Sequence, residues 1–200
     1  MISGGALGAW FAAHWLETFG AVAGAISVWL AVRESVWNWS VGIINNLVYI
    51  VVFVEQRFYG DATLQVFYIA VSVYGIVRWM SGGTRGDAPP VRRIAPAEVA
   101  LLAVVLVAAT FGLTRYFERI NDVAPLFDAF SFAGSIVAQY MLARKYVENW
   151  LLWIVIDVLS IGVYAWKGLA VTSLLYALFL AMCIVGFVQW RKAPAAPSPA

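Results

Sequence analysis

Charged side chains are scarce in this 200-residue chain. They make up 12% of it, while 63% of its residues are hydrophobic. In ordinary soluble domains, about 25% of the residues are charged and about 45–50% are apolar. A soluble domain of this size has too little interior to bury so much apolar surface, so the composition indicates an integral membrane protein. The formal net charge is only +2, and no basic run is interleaved with aromatic residues, so we expect no nucleic acid partner.

Cysteine and histidine each occur once, as Cys183 and His14. A single cysteine excludes an intrachain disulfide and a metal site built from cysteines. One histidine leaves no pair for haem, and we expect His14 to be a surface or interface residue rather than a ligand. The sequence also offers no nucleophile–base pair, so we expect neither an enzyme nor a cofactor.

Seven apolar runs fill most of the chain, and their lengths suit membrane-spanning helices. They cover about 15–32, 39–54, 64–80, 97–113, 125–143, 150–164 and 170–190. A turn is expected at Tyr59-Gly60-Asp61, before the third run. The fourth run has no polar residue in its middle and is interpreted as a plain connecting span. We therefore predict an all-α integral membrane protein with seven transmembrane helices.

The Gly-, Pro- and Arg-rich segment 81–96 is the one real linker. We expect residues 1–96 to contain a first three-helix repeat (about 15–80) and the basic cytoplasmic linker. A linking helix and its loop follow in 97–124, and a second three-helix repeat in 125–192. Residues 193–200 should form a disordered tail. Nine of the thirteen basic residues fall on one side of the membrane. The positive-inside rule then predicts an outside N-terminus and a cytoplasmic C-terminus.

The sixth run carries a carboxylate well inside an apolar stretch. Read as a helix, it places five residues on one face: Trp150, Trp153, Asp157, Ser160 and Tyr164. A charge at membrane depth costs a few kcal/mol, so Asp157 should face a bundle interior or a water-filled cavity. This face is suited to a flat, polar or cationic molecule. In the alternative, the tryptophans form an interfacial belt and Asp157 bonds a neighbouring helix.

The two halves of the chain also match each other. A shift of 111 residues aligns Trp39 with Trp150 and Trp79 with Trp190, with nine identities over forty-one positions. It also aligns Asn46 with Asp157, on a second face made of Trp39, Gly42, Asn46, Tyr49 and Phe53. Three helices, one linking helix and three more would give parallel repeats, a transporter architecture whose site lies at the repeat interface. Convergent hydropathy among helical bundles is the alternative.

Several short segments, in this order, resemble the PnuC family of bacterial vitamin transporters. They are Trp39–Gly42, Tyr59-Gly60-Asp61, Leu64-Gln65, Tyr74-Gly75 followed by Trp79, Glu148-Asn149-Trp150 with Trp153, Asp157, and Tyr164 through Lys167-Gly168. The resemblance implies a seven-helix, 3+1+3 fold similar to SWEET carriers, a homotrimer in the bacterial inner membrane, and uptake of nicotinamide riboside by facilitated diffusion. Cytoplasmic phosphorylation would then trap the substrate. Similar members carry thiamine or riboflavin instead, and a non-transporting seven-helix sensor is the alternative from another class.

The residues agree with such a substrate, whose flat cationic ring carries an amide and a ribose. An aromatic face attracts a cation by about 0.5–2 kcal/mol, which Trp150 or Trp153 would supply. The predicted substrate-binding residues are Trp150, Trp153, Asp157, Asn46, Gln65, Tyr49, Ser160, Tyr164 and Tyr68, and Asn45 is a further polar candidate. Neither face carries Arg or Lys to clamp a phosphate, which argues against a phosphorylated substrate.

Overall fold

The computed structural model describes residues 15–55, 57, 59–81 and 89–193. Within these ranges the chain forms seven helices and no strand: α1 (Trp15–Val32), α2 (Trp37–Glu55), α3 (Tyr59–Ser81), α4 (Pro96–Arg119), α5 (Pro125–Ala143), α6 (Asn149–Trp166) and α7 (Ala170–Arg191). Six of them, α2 to α7, are long and apolar enough to cross a membrane, and Thr18–Val32 of α1 is a shorter apolar helix. The protein is therefore an all-helical, multi-pass membrane protein.

The predicted runs and the observed helices differ mainly at their ends. The fourth helix extends to Arg119, beyond the predicted residue 113. The turn predicted at 59–61 is wrong, because α3 already begins at Tyr59. Gly and Asp mark turns, but both are also accepted at a helix start, where the first amides have no intrahelical partner. His14, linker residues 82–88 and tail residues 194–200 lie outside the described residues.

Helices α1 and α5 end in the same way. The second residues after them, Glu34 and Lys145, have φ of 56° and 55°. Their amides donate to Ala31 (3.0 Å) and to Leu142 (2.9 Å), respectively. A left-handed residue that turns its amide back onto the last helical turn ends the helix without leaving its carbonyls unpaired.

Six of the helices pack into a closed ring. Around it, α1 contacts α2, α2 contacts α3, α3 contacts α5, α5 contacts α6, α6 contacts α7, and α7 returns to α1. Helix α4 stands outside the ring; within the described ranges it packs only against α5, and none of its residues is buried. The ring therefore consists of two groups, α1–α3 and α5–α7. They meet at a first seam (α3 with α5) and a second seam (α7 with α1).

Four buried tryptophans pack together at one end of the ring, which we call the tryptophan end: Trp39, Trp79, Trp150 and Trp190. The rings of Trp39 and Trp79 meet edge to face with centroids 5.4 Å apart, and those of Trp150 and Trp190 do so at 5.3 Å. The Trp79 and Trp190 rings lie 6.3 Å apart, which joins the two pairs.

Two glycines leave room for these rings. A Cβ on Gly75 would lie 2.5 Å from Cε2 of Trp39, and one on Gly186 would lie 2.6 Å from Cε2 of Trp150. Both distances are below van der Waals contact, so each tryptophan needs a neighbouring residue without a side chain. The two tryptophan–glycine pairs are 111 positions apart in the chain.

Candidate functional site

A cavity of about 610 Å³ lies inside the ring, and all six ring helices contribute to its wall. No residue of α4 lines it. Small-molecule sites commonly enclose about 300–1,000 Å³ and are often found between the helices of bundles. The ring therefore encloses a space of the size that a small organic molecule needs.

All nine residues predicted to bind substrate line this cavity: Asn46, Tyr49, Gln65, Tyr68, Trp150, Trp153, Asp157, Ser160 and Tyr164. Gly42, Asn45 and Phe53 line it as well, whereas Trp39 does not. Trp150 is only 2% exposed and packs in the core of the tryptophan end. Of the two predicted tryptophans, the half-buried Trp153 is therefore the one that has a face available to a ligand.

The wall is built from equivalent positions of the two halves, but with different residues. Twelve pairs separated by 111 positions line the cavity with both members: Gly20/Ser131, Gly24/Ser135, Val28/Gln139, Ala31/Leu142, Gly42/Trp153, Asn45/Ile156, Asn46/Asp157, Tyr49/Ser160, Phe53/Tyr164, Gln65/Tyr176, Tyr68/Phe179 and Ser72/Cys183. Trp153 thus occupies the position that Gly42 holds in the first half. The arrangement of the positions is shared, while their chemistry is not, which suits a molecule with two unlike ends.

The charge of the wall is one-sided. Among the described residues that line the cavity, none is Lys, Arg or His, whereas two are acidic, Asp128 and Asp157. Asp157 is 3% exposed, and its carboxylate lies near the Cys183 thiol. A carboxylate buried without a basic partner favours a cationic or hydrogen-bonding occupant and disfavours a phosphate.

Five buried polar atoms of the wall have no hydrogen-bond partner among the residues that the structure describes. They are Asn45 Oδ1, Ser72 Oγ, Ser131 Oγ, Trp150 Nε1 and Asp157 Oδ2. A buried polar atom left without a partner costs about 1–3 kcal/mol, so native structures normally satisfy such atoms. A bound molecule or water inside the cavity would supply the missing partners.

Aromatic rings line the part of the cavity away from the tryptophan end. Tyr164 and Tyr176 stack at 5.2 Å, and Tyr49 stacks on Phe53 at 5.5 Å. Flat, parallel faces of this kind accept a planar ring in a stacked arrangement.

The sequence prediction missed several lining residues, including Asp128, Ser131, Ser135, Tyr176 and Phe179. The last two lie 111 positions after Gln65 and Tyr68, which were predicted. The repeat alignment already pairs them with these residues, so carrying the predicted sites from the first half to the second would have found them. Across the part of the chain that the structure describes, no group of three or more His, Cys, Asp or Glu could hold a metal ion.

The chain is similar to known membrane transporters. Residues 14–192 match the family described as nicotinamide mononucleotide transporter. The nicotinamide riboside transporter PnuC of Escherichia coli K12 is 29% identical over 202 residues, covering 88% of this chain and 84% of the relative. The riboflavin/roseoflavin transporter RibM of Streptomyces davaonensis is 28% identical over 180 residues, again covering 88% and 84%.

A solved structure has the same fold. The crystal structure of the vitamin B3 transporter PnuC superimposes with a TM-score of 0.71 at 24% identity, and the match covers 94% of this chain and 86% of that one.

Proposed function

The chain belongs to the nicotinamide mononucleotide transporter family, and on that premise we propose that it carries nicotinamide riboside across the membrane by facilitated diffusion. The observation that carries this proposal is the cavity: its wall has two carboxylates, five polar atoms without partners, and no basic residue among the described ones. Relatives at 27–29% identity are named nicotinamide riboside transporters. Since the family consists of transporters, the protein is not an enzyme.

The unlike walls of the cavity suit the two ends of this substrate. We propose that the cationic nicotinamide ring stacks on Trp153 and faces Asp157. The ribose hydroxyls and the carboxamide would bond the amides of Asn45, Asn46 and Gln65, with Tyr49, Tyr68, Ser160 and Tyr164 completing the site. A nucleotide fits less well, because no Lys or Arg is present among the described lining residues to bind its phosphate.

Riboflavin is the second candidate. The observations that favour it are the similarity to the riboflavin/roseoflavin transporter and the stacked aromatic pairs, which suit any planar ring system. Thiamine, another flat cation, shares the chemistry of nicotinamide riboside. The carboxylates favour the two cations over neutral riboflavin.

We further propose that the fold is a 3+1+3 arrangement of parallel repeats, similar to SWEET carriers, with α4 as the linking helix. Three observations support this: the matched helix ends at Glu34 and Lys145, the matched tryptophan–glycine contacts, and the twelve cavity-lining pairs at the same spacing.

The cellular setting follows from the family and from charge. We propose a homotrimer in the bacterial inner membrane, with the tryptophan end and the C-terminus in the cytoplasm. Since no driving force is visible in the cavity, net uptake would depend on phosphorylation of the substrate inside the cell, where the added charge prevents its return.

Purified protein in liposomes tests the function. We expect radiolabelled nicotinamide riboside to equilibrate without ATP and without an ion gradient, with calorimetric binding stronger than that of thiamine or riboflavin. Concentration of the substrate in response to an imposed proton or sodium gradient would contradict facilitated diffusion. Binding of riboflavin alone would overturn the proposed substrate while leaving the transporter assignment intact.

A further inference from the structure

The two seams of the ring have unlike contacts at equivalent positions. At the first seam, the polar side chains of Tyr68 and Ser135 lie near each other, and Tyr74 stacks on Tyr140 with the rings 9° from parallel. At the second seam, the counterparts of Tyr68 and Ser135 are Phe179 and Gly24, which meet only through an apolar edge.

One contact is common to both seams. The indole Nε1 of Trp79 donates to the carbonyl of Ala143 across the first seam, and Nε1 of Trp190 donates to that of Val32 across the second, both at 3.2 Å. Apart from this shared bond, the first seam has a pair of polar side chains and a ring stack, while the second has an apolar contact.

On the α5 side of the first seam, the loop that follows α5 has a further partner. The segment before α4 pairs with the loop between α5 and α6: the Arg92 amide donates to the Lys145 carbonyl, and the Val147 amide donates to the Arg92 carbonyl, both at 3.0 Å. The Ile94 amide donates to Glu148 Oε2 at 3.1 Å, and the Arg92 guanidinium lies 4.8 Å from the centre of the Tyr146 ring. The second seam joins the first and last helices of the ring, and no loop runs directly between them.

We infer that the tryptophan end opens at the second seam, between α1 and α7, while the first seam acts as the hinge. This inference rests on the proposed transport function, because a carrier must open each end of its cavity in turn. Opening breaks the Trp190–Val32 bond and the ion pair between Lys145 Nζ and Glu34 Oε2, which are 2.7 Å apart. The Tyr74–Tyr140 stack and the contacts of Arg92 persist.

The repeat supplies a matched pair of probes. Val32 and Ala143 are counterparts, both are buried, and each presents its carbonyl to a tryptophan across one seam. We would make Val32→Cys and Ala143→Cys separately in a Cys183→Ser background, which removes the chain's own cysteine. Both changes are small and leave the carbonyls in place, and labelling after denaturation verifies that each thiol is present.

The measurement is the rate at which a membrane-impermeant methanethiosulfonate, present on both sides of the liposomes, modifies each cysteine. We expect the cysteine at position 32 to react at least about tenfold faster than the one at 143, because labelling follows the population of the open form. Equal rates, a faster reaction at 143, or no reaction at either position would overturn the inference.

Transport is measured on the same liposomes, so that the two proposals fail separately. The proposed function would be contradicted if neither the Cys183→Ser protein nor the unmodified protein took up nicotinamide riboside, thiamine or riboflavin. The ratio of the two labelling rates requires no substrate, so it can be measured whether or not the protein transports any of these compounds.

Discussion

Glu34 and Lys145 occupy the same position in the two halves of the chain, 111 residues apart, and they form an ion pair with each other at 2.7 Å. Both have a left-handed backbone, which is uncommon for either residue type. Lys145 is 2% exposed, and its Nζ also lies 4.6 Å from the centre of the Trp79 ring. The pair therefore joins the two halves across the tryptophan end.

Removing one partner of this pair should loosen that end. With Glu34→Gln, Lys145 keeps its charge but loses its carboxylate, which we expect to cost about 1–3 kcal/mol, because a buried cation is left without a counter-charge. The measurement is the melting temperature in detergent, together with reactivity of a cysteine at position 32.

The double exchange Glu34→Lys with Lys145→Glu is the matched control. It keeps the pair and places the new lysine beside Trp190, the counterpart of Trp79, on a backbone of the same conformation. We expect the melting temperature to recover most of the loss. A double exchange no more stable than Glu34→Gln would contradict a direct pairing role.

The proposed site predicts separate effects on binding and folding. Trp153→Ala should weaken nicotinamide riboside binding by about 1–3 kcal/mol, or about 5- to 150-fold in Kd, through loss of a stacked aromatic face. Asp157→Asn should weaken binding of the cation more than that of its reduced, uncharged form, because it removes the charge and keeps the shape. Calorimetry gives Kd, and melting temperatures are measured on the same preparations.

Trp166→Phe on the same helix is the control. Trp166 is 73% exposed and does not line the cavity, so its replacement should leave Kd unchanged. If the Trp153 and Asp157 variants kept their affinity and lost only melting temperature, these side chains would belong to helix packing instead of the site.

The close approach of tryptophan to glycine predicts a third result. Gly186→Ala should destabilise the protein by about 1–3 kcal/mol, since the new methyl group would displace the Trp150 ring. Gly162→Ala, on α6, has no atom within 4 Å of the added Cβ. It should be neutral or slightly stabilising, because alanine favours the helix. Equal melting temperatures for the two variants would count against the packing of Trp150 on Gly186.

Charge distribution predicts the orientation. The sequence interpretation assigns nine basic residues to the side of the α1–α2 loop and four to the other. We therefore expect a reporter fused after residue 200 to be active in the cytoplasm and one before Met1 to be outside. A periplasmic C-terminus would contradict both the orientation and the placement of the tryptophan end.

The sequence predicted the helices well, because hydropathy is a property of each segment by itself. Trp15–Val32 and Pro125–Ala143 were placed at their observed bounds. Asp157 was found because a carboxylate in an apolar run is costly wherever the helix packs. In contrast, Ser131 and Ser135 face the cavity only because α5 is turned towards it. Their role depends on contacts between helices, and a small hydroxyl in a membrane helix gives little local signal.

Trp150 shows the same limit. The spacing placed it on one face with Trp153, and that face does line the cavity. Its ring nevertheless packs beside Gly186 and against Trp190. An aromatic residue on such a face can bind a ligand or fill the core. For Trp150 this is decided by Gly186 and Trp190, about forty positions away, which no local pattern contains.

The position of α4 outside the ring has a consequence for assembly. Since α4 contacts only α5 among the described helices, the six helices that enclose the cavity make their mutual contacts without it. Helix α4 then acts as a tether between the two three-helix units. A short tether of this kind gives each unit an effective concentration of about the millimolar level near the other. A chain cut after α4 and expressed as two pieces should still form the ring, but with an affinity that depends on the amount of each piece in the membrane.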